Sequence, residues 1–248
     1  YDTATRIWWP GIRYYPVHKG KNILQDTLAK GLDTLLAAAL TAAYYLLVFR
    51  APSATAAQES WKLAGLLLCV LAAGKFLFGW ANGNNYARNS ASIVIALTCL
   101  DRLPAGQAAV ALLDHSCRGF QGYQQLRRRL DQKGLRNSLL VLDCVTSGEE
   151  LRLHGLGELP ELAGVQNHRL TVPESRGSVL ELFPSGLVLT GGQETGGETV
   201  ALNTRCGKDR EIRLDKMEQA VEIICQLARL QGGAVEKPDF RSKEEKSK

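Results

Sequence analysis

Two apolar runs stand out from an otherwise mixed chain. Thr34–Phe49 reads TLLAAALTAAYYLLVF without a charged residue, and Arg50 and Pro52 close it. Leu63–Trp80 reads LAGLLLCVLAAGKFLFGW and is interrupted only by Lys75. Each run approaches the roughly 20 residues that a helix needs to cross a bilayer. Neither shows a polar face, so a soluble fold would have to surround both. The pattern therefore predicts a transmembrane helical hairpin, with the polar segment APSATAAQESWK as its loop, over a pair of buried core helices. A snorkelling Lys75 and a terminal Trp80 fit a membrane interface, as does the aromatic-rich IWWPGIRYYP ahead of the first span.

Beyond Ser90 the texture changes. Ser92–Leu103 has helical spacing, and Gln107–Asp114 (QAAVALLD) is an apolar run of strand length. Tyr123–Lys133 predicts a basic helix, Ser138–Cys144 a buried strand, and Leu151–Gly155 and Leu187–Thr190 further short strands. Leu214–Leu230 is amphipathic, with Met217, Val221, Ile224, Leu227 and Ala228 on one side. Strand–helix alternation of this kind predicts an α/β sheet with helices on its faces. Four segments follow: a juxtamembrane stretch 1–30, the hairpin 31–80, an α/β domain 81–235 and a charged, disordered tail 236–248.

Composition sharpens this division. The chain has 248 residues, 45% of them hydrophobic, 22% charged, with a net charge of +5. That excludes a disordered, collagenous or disulfide-scaffold protein and leaves one sizeable core. Residues 1–30 hold Arg6, Arg13, Lys19, Lys21 and Lys30 against Asp2 and Asp26, whereas the hairpin loop offers only Arg50 and Lys62 at its edges. Basic residues gather on the cytoplasmic side of membrane spans, so the N-terminal flank and the α/β domain are expected in the cytoplasm. With the basicity assigned to a membrane flank, no nucleic-acid partner is expected. Six cysteines, Cys69, Cys99, Cys117, Cys144, Cys206 and Cys225, are scattered singly and read as reduced, mostly buried thiols. The chain opens on Tyr1 with no signal-peptide pattern, which reads as the continuation of a longer or processed chain.

Active sites of open α/β sheets gather beyond the carboxyl ends of strands. Two predicted strands end there in a carboxylate, Asp114 and Asp143, which could hold a metal, work as an acid/base pair or simply open a polar turn. Asp114-His115-Ser116-Cys117 contains acid, base and nucleophile types, but neighbours in sequence rarely form a triad. Gly191-Gly192 and Gly196-Gly197 flank Gln-Glu-Thr and read as a flexible hairpin loop. Arg127-Arg128-Arg129 reads as a solvated helix face. His154 and His168 lack partners at ligand spacing and read as surface or core histidines.

The stretches NSASIVIALTCLDRL, AAVALLDHSCRGFQGYQQ and LLVLDCVTSGEELRLHG, in that order, resemble the di-zinc aminopeptidase family. That family includes bacterial leucyl aminopeptidases and is related to glutamate carboxypeptidase and the transferrin receptor. A membrane-associated bacterial branch carries two hydrophobic helices between its first two motifs, where this chain has its hairpin. The resemblance spans residues 1–230, with Tyr1-Asp2-Thr3 matching the end of a His-Tyr-Asp-Thr motif. It implies a three-layer zinc-peptidase-like sheet with flanking helices, lacking its N-terminal part and carrying the inserted hairpin.

The same resemblance implies a degenerate site. Asp2 matches the carboxylate that orients the first ligand histidine, and the bridging Asp of the family falls on Asn89. The general-base Glu falls on Ser116, the adjacent ligand Glu on Cys117, and the last ligand His on Asn203; Asp143 alone is a retained metal-ligand carboxylate. Asn89 and Asn203 are neutral and poor zinc ligands, and Ser116 cannot accept a proton from a metal-bound water. Cys117 and Asp143 remain as residual candidate ligands, too few for a co-catalytic pair. The expectation is a membrane-anchored pseudoenzyme without a cofactor, binding a protein or peptide partner. The alternative is a divergent metallo-aminopeptidase that uses Asp114, Cys117 and Asp143, with a ligand histidine preceding Tyr1, to hold zinc. A third reading gives the hairpin alone a structural role.

Overall fold

A computed structural model of the chain describes residues 13–78, 89–113, 120–134, 139–201, 204 and 212–232. Helix α1 (Lys19–Tyr44) runs into a π-helical stretch, Tyr45–Phe49, and a short turn leads to α2 (Ala56–Phe78). Helices α3 (Ala91–Arg102) and α4 (Gln121–Gln132) precede strands β1 (Leu140–Asp143), β2 (Glu150–Gly155) and β3 (Val165–Arg169). Helix α5 (Val179–Leu182), strands β4 (Leu187–Thr195) and β5 (Glu198–Val200) and helix α6 (Leu214–Gly232) complete the order.

The sheet is mixed, in the order β1-β4-β2-β3, with β5 paired to β4. Strands β1 and β4 are parallel, β2 and β3 are parallel, and β2 and β4 are antiparallel. Successive strand residues face opposite sides, and this period sorts the core into two layers. Leu140, Leu142, Leu151, Leu153, Leu187 and Leu189 face one side, where Ile95 and Cys99 of α3 and Val221, Ile223 and Leu227 of α6 cover them. Val141 and Val188 face the other, against Tyr123 of α4, Val179 and Leu180 of α5, and Val17. The expected α/β domain with helices flanking its sheet is therefore present.

Local chemistry sets the element ends. Helix α3 stops at Leu103, whose extended backbone (φ −90°, ψ 144°) is what the following Pro104 demands. The Ser178 hydroxyl caps α5 by accepting the Leu180 N–H at 3.1 Å. Gly196 (φ 62°) and Gly197 (φ 78°) form the two-residue β4–β5 turn, whose positive φ values match the strand twist.

Three sequence expectations change. Residues 107–113 form no strand: β1 takes β4 as its ladder, and Leu112 is 66% exposed. An apolar run becomes a strand only where it finds a partner. Gly191 and Gly192 belong to β4 rather than to a flexible loop, because the chain after β1 packs directly on them. A Cβ on Gly191 would lie 2.2 Å from the Ser147 carbonyl oxygen. Finally, Ala56–Lys62 is helical, so the hairpin loop is shorter than the polar segment suggests.

Two helices, Lys19–Phe49 and Ala56–Gly74, are long and apolar enough to cross a membrane. Their most apolar windows are only 6% and 0% buried, which is not the environment of soluble core helices. Leu35, Leu40, Leu47, Leu63 and Leu68 all point outward. The two helices pack on each other where Gly65 lets Tyr44 approach; the Tyr44 hydroxyl donates to the Lys62 carbonyl at 3.2 Å.

Candidate functional site

The carboxyl end of β1 is built from a buried polar group and a tight turn. Asp143 is 7% exposed. The ammonium of Lys19, itself 2% exposed in the first turn of α1, donates to Asp143 Oδ2. The Tyr14 hydroxyl donates to the same oxygen at 2.7 Å, and Lys19 Nζ also donates to the Tyr14 hydroxyl at 2.6 Å. The Cys144 thiol lies 3.2 Å from Asp143 Oδ1, to which it donates. Cys144 has φ 54°, in the left-handed region that non-glycine residues rarely occupy. Its carbonyl then accepts the Ser147 and Gly191 N–H groups at 2.9 and 3.2 Å, which ties the turn to β4.

Of the other site residues read from the sequence, Asn89 is half-buried in the turn leading into α3. Asp2, Asp114, Ser116, Cys117 and Asn203 lie outside the described residues. Cys69, Cys99, Cys144 and Cys225 are free thiols, as expected for reduced cysteines. Burial, with Cys225 beside it, pushes the Cys99 thiol up to about 12.

A second polar assembly was not legible in the sequence. The chain has four histidines, and His18, His154 and His168 all line one cavity of about 250 Å³ with Lys21, Glu174 and Glu198. Parallel pairing of β2 with β3 sets His154 opposite His168, with ring centroids 5.2 Å apart. His18, just ahead of α1, enters from the third side; its Nε2 lies 2.9 Å from the Glu174 carbonyl oxygen and so carries the hydrogen. Recognising β3 would have required seeing Val-Gln-Asn-His-Arg as a strand, although it lacks an apolar alternation. Of the two readings the sequence left open for His154, surface or core, the structure takes the core one, and its neighbours come from other elements.

Burial sets the charge state of His154. His154 is 1% exposed, and burial, reinforced by His168 and Arg152, lowers it to about 3. It is therefore a neutral imidazole at physiological pH. Its Nε2 sits 3.4 Å from the Thr199 hydroxyl, while its Nδ1 is buried without a hydrogen-bond partner. His18 Nδ1 is likewise buried and unpartnered, 3.8 Å from Glu198 Oε1. Lys21 pairs with that same Glu198 oxygen. Next to His154 on β2, buried Arg152 is held by Glu150 at 2.8 Å and Glu194 at 2.9 Å.

Among the described residues, no group of three or more His, Cys, Asp or Glu side chains is arranged to hold a metal ion. No family model matches the chain, and neither a curated protein nor a solved structure matches it.

Proposed function

We propose that the chain is a membrane-anchored α/β module of zinc-peptidase-like design that has given up metal chemistry and acts by binding a protein or peptide. The observation that carries this reading is the pairing of Asp143. Of the metal-ligand carboxylates the resemblance implies, it is the only one retained, and a buried ammonium with a tyrosine hydroxyl engages it. A cation supplied by the chain itself offsets the charge that a metal would otherwise neutralise, and removing a buried partner is costly. The substitutions implied at Asn89, Ser116 and Asn203 point the same way, because none is a zinc-binding carboxylate or imidazole, and Cys117 with Asp143 makes too few ligands for a co-catalytic pair.

The exposed apolar faces of α1 and α2 support membrane insertion, and the basic flank supports a cytoplasmic α/β domain. The first continuous helix, Lys19–Phe49, is 31 residues and about 46 Å long, against about 30 Å of hydrocarbon. Its first turns therefore stand clear of the bilayer and carry Lys19 to Asp143.

Metal analysis and peptidase assays on the purified chain in lipid nanodiscs test the reading. Less than one zinc per chain and no turnover of aminoacyl amides are expected. Two equivalents of zinc, with turnover that Asp143→Ala abolishes in a protein that still melts cooperatively, would establish the divergent metallo-aminopeptidase instead.

A further inference from the structure

The cavity lined by His18, His154 and His168 lies apart from the Asp143 turn and plays no part in the proposed site. Its wall carries two carboxylates, Glu174 and Glu198, against one ammonium, Lys21, so with neutral imidazoles it is net negative. One local arrangement within it is unfavourable in the neutral form of His18. His18 Nε2 carries a hydrogen directed at the Glu174 carbonyl, which makes Nδ1 of the neutral ring a bare acceptor. That lone pair is unpartnered and faces Glu198 Oε1, another acceptor, 3.8 Å away. A buried acceptor without a donor is unfavourable, so with a neutral His18 ring the pair is arranged to receive a donor from outside the chain.

We propose that this cavity binds a small primary ammonium compound, its charged nitrogen bridging His18 Nδ1 and Glu198 Oε1. A nitrogen about 2.8 Å from each acceptor, the usual charge-assisted distance, closes a triangle on their 3.8 Å separation without strain. The cavity volume of about 250 Å³ leaves room for a short organic chain behind the ammonium. His154, kept neutral by burial, adds no repelling positive charge to the wall. A metal ion is the weaker fit, because no three ligand side chains among the described residues converge as a coordination site requires.

The test uses the full chain in micelles with nitrogen-labelled histidine, in which the His18 ring, one of four, is assigned through His18→Asn. Ethylammonium chloride is titrated at neutral pH, with uncharged N-ethylacetamide as the control. Saturable movement of the His18 Nδ1 resonance by ethylammonium alone is expected. Glu198→Gln should weaken this binding about tenfold or more. Lys21→Met, at a half-exposed position that should not disturb folding, should tighten it severalfold by removing a competing ammonium. Equal response to the amide, or no saturation by ethylammonium, would overturn the proposal. So would a His18 ring already protonated on both nitrogens in the free protein, since the lone pair would not exist. Stoichiometric zinc binding at His18 that displaces ethylammonium would replace the proposal with a metal site.

Discussion

Lys19, in the first turn of α1, donates to the carboxylate of Asp143 at the end of β1, although 124 residues separate them and both are buried. The contact joins the first long apolar helix to the central sheet. Around it, Gly20 donates to the Gly177 carbonyl at 3.1 Å, and Tyr14 bridges to Ala201. The start of the hairpin is thus part of the α/β core rather than a linker to it.

Lys19→Met should be among the most damaging single substitutions. It removes the Lys19 cation from a buried carboxylate, at a cost of about 3–5 kcal/mol. Adding Asp143→Asn should recover part of that loss, because no buried charge then remains. Urea-dependent pulse proteolysis of the chain in micelles would show it. Additive losses in the double variant would contradict the direct pairing.

His154 makes stability depend on pH in a definite direction. The buried ring holds its proton only near pH 3, whereas the unfolded ring binds one below about 6.5. The unfolded state therefore binds more protons between those values. Stability is fully present above about 6.5 and falls as the medium is acidified, approaching about 1.4 kcal/mol per pH unit from this residue. His154→Gln should flatten the slope between neutral pH and about pH 5 in unfolding measurements. An unchanged slope would assign the acid sensitivity elsewhere.

Cys99 should be chemically silent in the folded protein. Its thiol is pushed up to about 12, chiefly by burial between α3 and α6, so almost no thiolate exists at pH 8. Iodoacetamide labelling followed by mass spectrometry should modify Cys99 only after denaturation. Rapid labelling in the native protein would show that α3 separates from α6.

Gly191→Ala should disrupt the turn after β1. The added methyl would lie 2.2, 2.5 and 2.9 Å from the carbonyl oxygens of Ser147, Val145 and Cys144, all backbone atoms that cannot rotate away. A loss of about 3 kcal/mol or more is expected, at the upper end for overpacking. Thermal melting compared with Gly196→Ala, where the methyl meets open space and only the turn conformation suffers, separates crowding from backbone strain.

Leu40→Arg reports on the membrane. Leu40 is 59% exposed midway along the first apolar run. An arginine near the centre of a span costs about 2.5–3.5 kcal/mol on insertion. A smaller fraction of this variant should resist carbonate extraction. Unchanged extraction would place α1 outside the hydrocarbon.

What the sequence determined was whatever a single segment can encode. Apolar length specified the two exposed helices, helical spacing specified α3, a basic run specified α4 and amphipathic spacing specified α6. Compact apolar runs specified β1 and the start of β4, because burial on both faces leaves that mark in many strands, whereas β2 alternates leucines with the buried Arg152 and His154. The sequence also singled out Asp143 as the carboxylate at a strand end. It did not disclose β3, whose Gln166 and Asn167 are exposed at the sheet edge and leave no apolar alternation. Nor could it reveal that 107–113 would find no ladder, since strand pairing depends on a partner elsewhere in the chain. The tertiary structure alone brought Tyr14 and Lys19 to Asp143, and gathered His18, His154 and His168 around one cavity. Those meetings are set by which strands pair and where α1 docks. Such long-range contacts leave no periodic trace in the segments that make them.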